Sequence, residues 1–292
     1  MKQHLESHIA GTIDADDVQI GRGVTVEEGV LITGNDGPAQ RVALGDFSYV
    51  GRETRILAPE FCLGDYSKIH AHSFGHGAHP LRIGRNCWIG GNTVLDSMGG
   101  LDIADNVGIG NQSQLWSHIQ FGDVIEGCRF RSQTYLYVQE DAWLVGHCIL
   151  SPVEVGRRSM ALVGSVITRD MEEDHVYAGV PATDVTAKVG PQFSQRTLKE
   201  KTEALRSLLQ KFEEECPQFK GQLRIIHDVD GTEDGITYFD LSDRTYVQTH
   251  SPAEVAFFRS HVPLVKFTPK GSPPFYQPGP PDISHNGTPQ PR

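Results

Sequence analysis

A mainly β solenoid, built from short strands at a fixed period, is the fold this sequence predicts over residues 12–189. Three observations predict it. The pairs Ile83-Gly84 and Ile89-Gly90 lie six residues apart, and Leu44-Gly45, Val50-Gly51 and Ile56 repeat that spacing. Ile103, Ile109, Leu115 and Phe121 fall on a second lattice of the same step, and Tyr137, Trp143, Ile149, Val155, Ala161 and Ile167 on a third. A step of six fits neither an α-helix at ~3.6 residues per turn nor a simple alternating strand; it marks a parallel β-helix of hexapeptide repeats. Three hexapeptides then make one triangular coil. The aliphatic residue of each points inward, and Gly, Asn and Asp occupy the corners, where positive φ is required.

The lattice breaks at three places, where loops are expected to leave the prism: residues 70–80 (HAHSFGHGAHP), 97–100 (SMGG) and 122–136. In solenoids such loops often line the binding face. Past residue 189 the period stops. Residues 194–216, within a segment 190–216, read as an amphipathic helix with Leu198, Leu205, Leu208, Leu209 and Phe212 near one face, ended by Pro217. Residues 217–268 read as a small α+β appendage. It has strands at Leu223–His227, Ile236–Phe239, Thr245–Thr249 and Leu264–Thr268, and a helix after Ser251-Pro252. The tail 269–292, rich in Pro, Gly, Ser and polar residues, reads as disordered, and its deletion is expected to leave the fold intact.

Composition excludes several classes. There are 26 basic and 37 acidic residues, a net charge of −11. That balance offers no basic surface for nucleic acid or an anionic membrane. No apolar run approaches the ~20 residues of a membrane span. The first residues, MKQHLESHIAG, lack the apolar core of a secretory signal. The five cysteines are scattered and never in CxxC spacing, which points to reduced thiols in a cytoplasm and not to disulfides or a zinc framework.

Residues 85–118 (RNCWIGGNTVLDSMGGLDIADNVGIGNQSQLWSH) resemble the hexapeptide-repeat acyltransferases of the maltose/galactoside O-acetyltransferase type. Residues 162–182 (LVGSVITRDMEEDHVYAGVPA) are similar to that family's last coil and closing strand, through S-V-I-T-[KR]-D and V-x-A-G-x-P-A. The resemblance covers residues 85–188; the earlier coils match by period alone. It implies a left-handed β-helix, a homotrimer with a site in each groove between prisms, and acetyl-CoA as acyl donor.

Under that resemblance the general base is a histidine after the D-N-V-x-I-G stretch, here His118, following Asp105–Gly110 and Gln114-Leu115-Trp116-Ser117. The family has two more residues before its histidine and a proline after it; here Ile119 follows. The chemistry supports this residue type independently. Acyl transfer from a thioester to a hydroxyl or amine requires the nucleophile to lose a proton, and imidazole, with an ordinary pKa near ~6.5, accepts it at neutral pH. His79 is the rival, because His79-Pro80 reproduces the family's His-Pro one coil earlier. His70, His72, His76 and His79 together allow a metal site, the wall of an acceptor pocket, or a polar loop. A three-histidine zinc site of the γ-carbonic-anhydrase kind lacks its further histidines, so no metal is expected.

Asp96 aligns with an acidic residue that contacts sugar hydroxyls in the family; the other reading is a corner Asp capping its own turn. Trp116, Asn92 and His76 complete the acceptor candidates, with Trp116 stacking on a ring or packed inside. Asp123 or Glu126 could orient His118. For the donor, Thr168 and Arg169 match the family's Thr-Lys/Arg contacts to CoA, Gly164 its small-residue position, and Lys188 is the first cation after G-x-P. The function these residues point to is acetyl transfer from acetyl-CoA to a hydroxyl of a sugar or sugar-like small molecule in the cytoplasm. The alternatives are N-acetylation of an amino sugar or antibiotic, a non-catalytic β-helix scaffold, and a metal-dependent lyase.

Overall fold

Three sheets, parallel but for the last strand of the first, Ala182–Asp184, close around an apolar column with one strand per coil in each. In this computed structural model, which describes residues 5–226, 231 and 233–280, they contain ten, eight and seven strands. Every third strand pairs, as a three-sided coil requires. On the first sheet Ile69, Ile89, Ile109 and Leu144 are in register. On the second, Leu95, Leu115, Leu150 and Ile167 stack likewise. On the third, Ile83, Ile103 and Val138 do so. These side chains are buried and form one continuous core with Val42, Val50, Ile56 and Phe61. Burial of this kind contributes about 25 cal/mol per Å² of apolar surface, so the stacked column is the main source of stability.

Two of the expected lattices change at particular residues. Tyr137, Trp143 and Ile149 face outward, Trp143 being 44% exposed; Val138, Leu144 and Leu150, also six apart, are the buried set. A strand's side chains alternate, so a slip of one residue exchanges the faces. Phe121 is fully exposed because the chain has already left the prism at His118. Residues 70–80, expected to leave the prism, stay in it. Phe74–His76 is a regular strand of the second sheet, and its inward residue is Gly75. A Cβ there would lie 2.7 Å from Ile56 Cδ1 and 2.8 Å from Leu81 Cδ2, so neighbouring side chains fill the space an aliphatic residue would have taken. Residues 97–100 form a tight turn. Of the three interruptions, the third leaves the prism: residues 118–133 protrude as a two-stranded antiparallel ribbon, His118–Gln120 against Arg131–Gln133.

After the last coil the chain forms the helix Leu198–Glu215, opened by a capping box between Thr197 and Glu200. Its buried residues are Leu205, Leu209 and Phe212; Leu198, at the first turn, is exposed. A four-stranded sheet follows (Leu223–Ile225, Thr237–Asp240, Thr245–Tyr246, Thr268–Pro269) with the helix Pro252–His261, N-capped by Ser251. The expected end of the first of these strands at His227 lies outside the described residues. The aromatic core of this module includes Phe47 and Tyr66, which belong to the prism. It is therefore built onto the prism's corner rather than tethered to it. Arg244 clamps Asp141 with two hydrogen bonds of 2.6 and 3.0 Å.

Residues 269–280, expected from composition to be disordered, are seated on the third sheet. Arg85 donates to the carbonyl of Pro273 at 2.8 Å, and the Gly279 N–H donates to buried Asp102 at 3.0 Å. A chain ending at 268 is therefore expected to be less stable than one ending at 280, by about 1–3 kcal/mol for the lost hydrogen bonds to charged groups. Thermal unfolding of the two truncations checks this; equal Tm values would show the contacts to be dispensable.

Cys62, Cys87 and Cys148 are buried, whereas Cys128 and Cys216 are partly exposed. Burial pushes the Cys62 and Cys87 thiols up to about 12. A thiol with a raised pKa stays protonated and unreactive until the pH nears that value. At pH 8 a disulfide reagent should therefore label Cys128 and Cys216 quickly and reach the other three only after unfolding, as counted by mass spectrometry.

Candidate active site

Coils near the middle of the prism stack directly, so that His76 pairs in register with Asp96 and Trp116 follows one coil above. His76 and Asp96 end strands of the second sheet and Trp116 directly follows one, all at its corner with the third. Gly77 allows the close approach there, because a Cβ on it would fall 2.2 Å from Ser97 Oγ.

Just beyond Trp116 the chain turns outward into the ribbon, and this turn brings His118 over Asp96. The His118 Nδ1 to Asp96 Oδ2 distance is 2.5 Å. The same oxygen accepts the backbone N–H of Ser117 at 3.0 Å and of His118 at 3.1 Å, while Oδ1 accepts from Met98 N–H at 2.8 Å. Asp96 is fully buried, whereas the His118 side chain is 24% exposed. A carboxylate can only accept, so Nδ1 carries a proton, and in the neutral ring the lone pair is on Nε2. That is the tautomer a general base needs, held by a rigid acceptor beneath it.

Asp96 therefore differs from the expected sugar contact and follows the other reading, a carboxylate that caps its own turn, here through the Met98 N–H. Both its oxygens are engaged inside the protein, and no face of it meets solvent. Of the two acids expected to orient His118, Asp123 caps its own turn by accepting from Ile125 and Glu126 N–H. Glu126 stands in the same exposed turn.

Around His118 the rings are close-set. His76 meets it edge-on at 6.3 Å and Trp116 at 6.4 Å, and Phe74 stacks on His76 at 5.0 Å. Trp116 Nε1–H is directed to Gln114 Oε1 at 3.2 Å. Phe74 and Gln114 escape sequence reading. Their signal is the strand register, which places both on the outward row of the second sheet.

The histidine-rich stretch is dispersed by the coil. His70 lies against Trp88 with ring centres 4.1 Å apart and planes tilted by 40°, His72 occupies a corner with φ 60°, and of the four His76 reaches His118. His79 lies in the turn below, tied through its backbone to Ser97, and burial lowers its ring's pKa. No carboxylate orients its ring among the described residues, which separates it from His118. Among the described residues there is no group of three side chains able to hold a metal ion. Asn92 sits at the other end of its strand, at the corner between the first and second sheets, and is not brought to His118.

The donor candidates divide in the same way. Register carries Trp116 to Ser151 and then to Thr168, so Thr168 and Arg169 stand two coils above Trp116 on the same edge, about 10 Å along the sheet. Gly164, with φ 74°, lies at the opposite edge of that sheet. Lys188 is on the short helix Thr186–Val189, beyond the last strands of the first sheet.

No family model matches the chain, and no curated protein matches it. Several solved structures are similar to it. The polysialic acid O-acetyltransferase OatWY shares 15% identity at a TM-score of 0.48, over 63% of this chain and 90% of that one. A point mutant of AntD, an N-acyltransferase from Bacillus cereus, in complex with dTDP and coenzyme A, shares 15% at 0.43, over 65% and 90%. The hexapeptide-repeat acetyltransferase VCA0836 from Vibrio cholerae shares 20% at 0.34, over 51% and 73%. What this chain can do is decided by its own geometry.

Proposed function

We propose that this protein is a CoA-dependent acyltransferase that moves an acetyl group from acetyl-CoA to a hydroxyl of a sugar or sugar-like acceptor. The observation that carries this reading is the His118–Asp96 pair. A partly exposed imidazole has Nδ1 locked on a buried carboxylate and Nε2 open beside an aromatic wall. In the reaction Nε2 takes the proton of the acceptor hydroxyl as its oxygen attacks the thioester carbonyl. The tetrahedral intermediate then collapses with loss of the CoA thiolate, which is protonated in turn. Asp96 holds the imidazolium while it exists. His76 and Trp116 border the acceptor, and the Trp116–Ser151–Thr168 edge, with Arg169, offers a path for the pantetheine arm. The reading carries with it a trimer with sites between copies and a place in the cytoplasm. No helix among the described residues is long and apolar enough to cross a membrane.

An amine acceptor would use the same base, so N-acetylation is the second reading. The test is release of free CoA from acetyl-CoA with a panel of sugars and amino sugars, wild type against His118→Ala. Turnover that depends on His118 supports the reading, and the preferred panel member decides between oxygen and nitrogen. No turnover with any member favours the scaffold.

A further inference from the structure

The ribbon that begins at His118 carries a second polar group on the same side as the base. Side chains alternate along a strand, and directly opposed residues share a face. His118 is opposite Gln133 and Gln120 is opposite Arg131. His118, Gln120, Arg131 and Gln133 therefore form one face, and Ile119 and Ser132 the other. The assignment agrees with two contacts at the ribbon's base: His118 reaches Asp96 and Gln133 reaches the carbonyl of Met98, both in the same turn of the prism. Two residues along a strand is about 7 Å, so Gln120 and Arg131 stand roughly that far beyond the base.

There they border an open surface hollow of about 370 Å³, whose other lining residues, Phe121, Gly122, Val124 and Phe130, are all exposed. Arg131 is exposed and makes no ion pair among the described residues, although the chain holds 37 acidic residues against 26 basic ones. A guanidinium presents a planar fork of N–H donors that fits a carboxylate or phosphate in two parallel hydrogen bonds. The amide of Gln120 opposite it supplies a further donor, and the exposed rings of Phe121 and Phe130 offer apolar surface beside it.

We propose that Arg131, with Gln120, is the subsite for an anionic group of the acceptor, which is therefore an acidic molecule such as a sugar bearing a carboxylate or a phosphate. This rests on the reading of His118 as the base. The phosphates of CoA are a poor fit to the subsite, because the pantetheine arm holds them much farther from the thioester carbon than Arg131 stands from His118. Arg131 recognises charge and orients the acceptor, leaving a neutral ring hydroxyl of the same molecule to face Nε2.

The test uses the full chain and three probes of one ring type: glucose, glucuronate and glucose 6-phosphate. Each is titrated calorimetrically into wild type, Arg131→Gln, Arg131→Lys and His118→Ala. Wild type is expected to bind at least one anionic probe roughly tenfold tighter than glucose, the scale of one lost charge-assisted contact. Arg131→Gln should erase that preference, Arg131→Lys should recover part of it, and His118→Ala should keep it. Whichever of glucuronate and glucose 6-phosphate is favoured identifies the anion. The proposal is overturned if no anionic probe binds better than glucose, if Arg131→Gln leaves the preference intact, or if that variant weakens CoA binding and spares the acceptor. A His118→Ala protein that keeps both charge preference and acetyl transfer would overturn the choice of base alone.

Discussion

Replacing His118 by alanine is expected to lower kcat for acetyl transfer by roughly 10²–10⁴-fold, the usual worth of a positioned general base. The CoA dissociation constant should stay within about twofold, because the substitution touches no residue on the Thr168 edge. The magnitude follows from what is lost: among the described residues, the one imidazole of the site whose tautomer is set by a buried carboxylate. His76 stands 6.3 Å away between ring centres and His79 lies one turn lower, but among the described residues neither ring is oriented by an acid. Steady-state rates with a saturating acceptor, together with CoA titration, measure both quantities. Undiminished activity would transfer the role to another group, with His79 the first to examine.

Replacing Asp96 is expected to show as strongly in stability as in rate. Asp96→Ala leaves the N–H groups of Met98, Ser117 and His118 without their acceptor, and frees the His118 ring to rotate. Each buried donor left unpaired costs about 1–3 kcal/mol. Three such donors bound the loss at roughly 3–9 kcal/mol, nearer the lower end because the Met98 and His118 N–H groups are only partly buried, and a Tm lower by some 5–15 °C is expected. Asp96→Asn separates the two effects. It keeps the shape and can still accept some of the backbone hydrogen bonds, but it turns a donor toward either Met98 or His118. Its expected signature is a small loss of Tm with a kcat reduced by roughly 10²–10⁴-fold, as when the acid behind a catalytic histidine is neutralised. If Asp96→Asn were fully active, the carboxylate would be a structural brace of the turn and nothing more.

Much of the architecture was legible because inward-facing residues recur at a constant step: Leu44, Val50, Ile56 and Ile83, Ile89 lie in the core as their spacing requires. Legibility failed where two residues in a row were apolar. Trp143-Leu144 and Ile149-Leu150 each offer two candidates for one inward place, and only packing chooses between them. It failed again at Gly75, where the inward position holds no side chain of its own because its neighbours fill the space. At the site, motif placement singles out His118, but for Asp96 it offers both a sugar contact and a turn cap and does not show the pairing with His118. Its partner lies 22 residues on, and which side of the turn the carboxylate takes depends on how the next coil is laid down.

From the sequence alone came the solenoid, the interruption after residue 121 that does leave it, and the histidine at its root. These are properties of a repeating chain, in which each residue's environment is set by neighbours at a fixed distance. The tertiary structure decided what no period encodes. It set that Asp96 lies beneath His118, that His76 of the four clustered histidines meets it edge-on, and that the C-terminal module shares its core with the prism through Phe47 and Tyr66. It also decided that residues 269–280 lie along the third sheet. The physical reason is the same in each case: hydrogen bonds and ring contacts form between coils, at separations where a shift of one residue turns a side chain from the core to solvent.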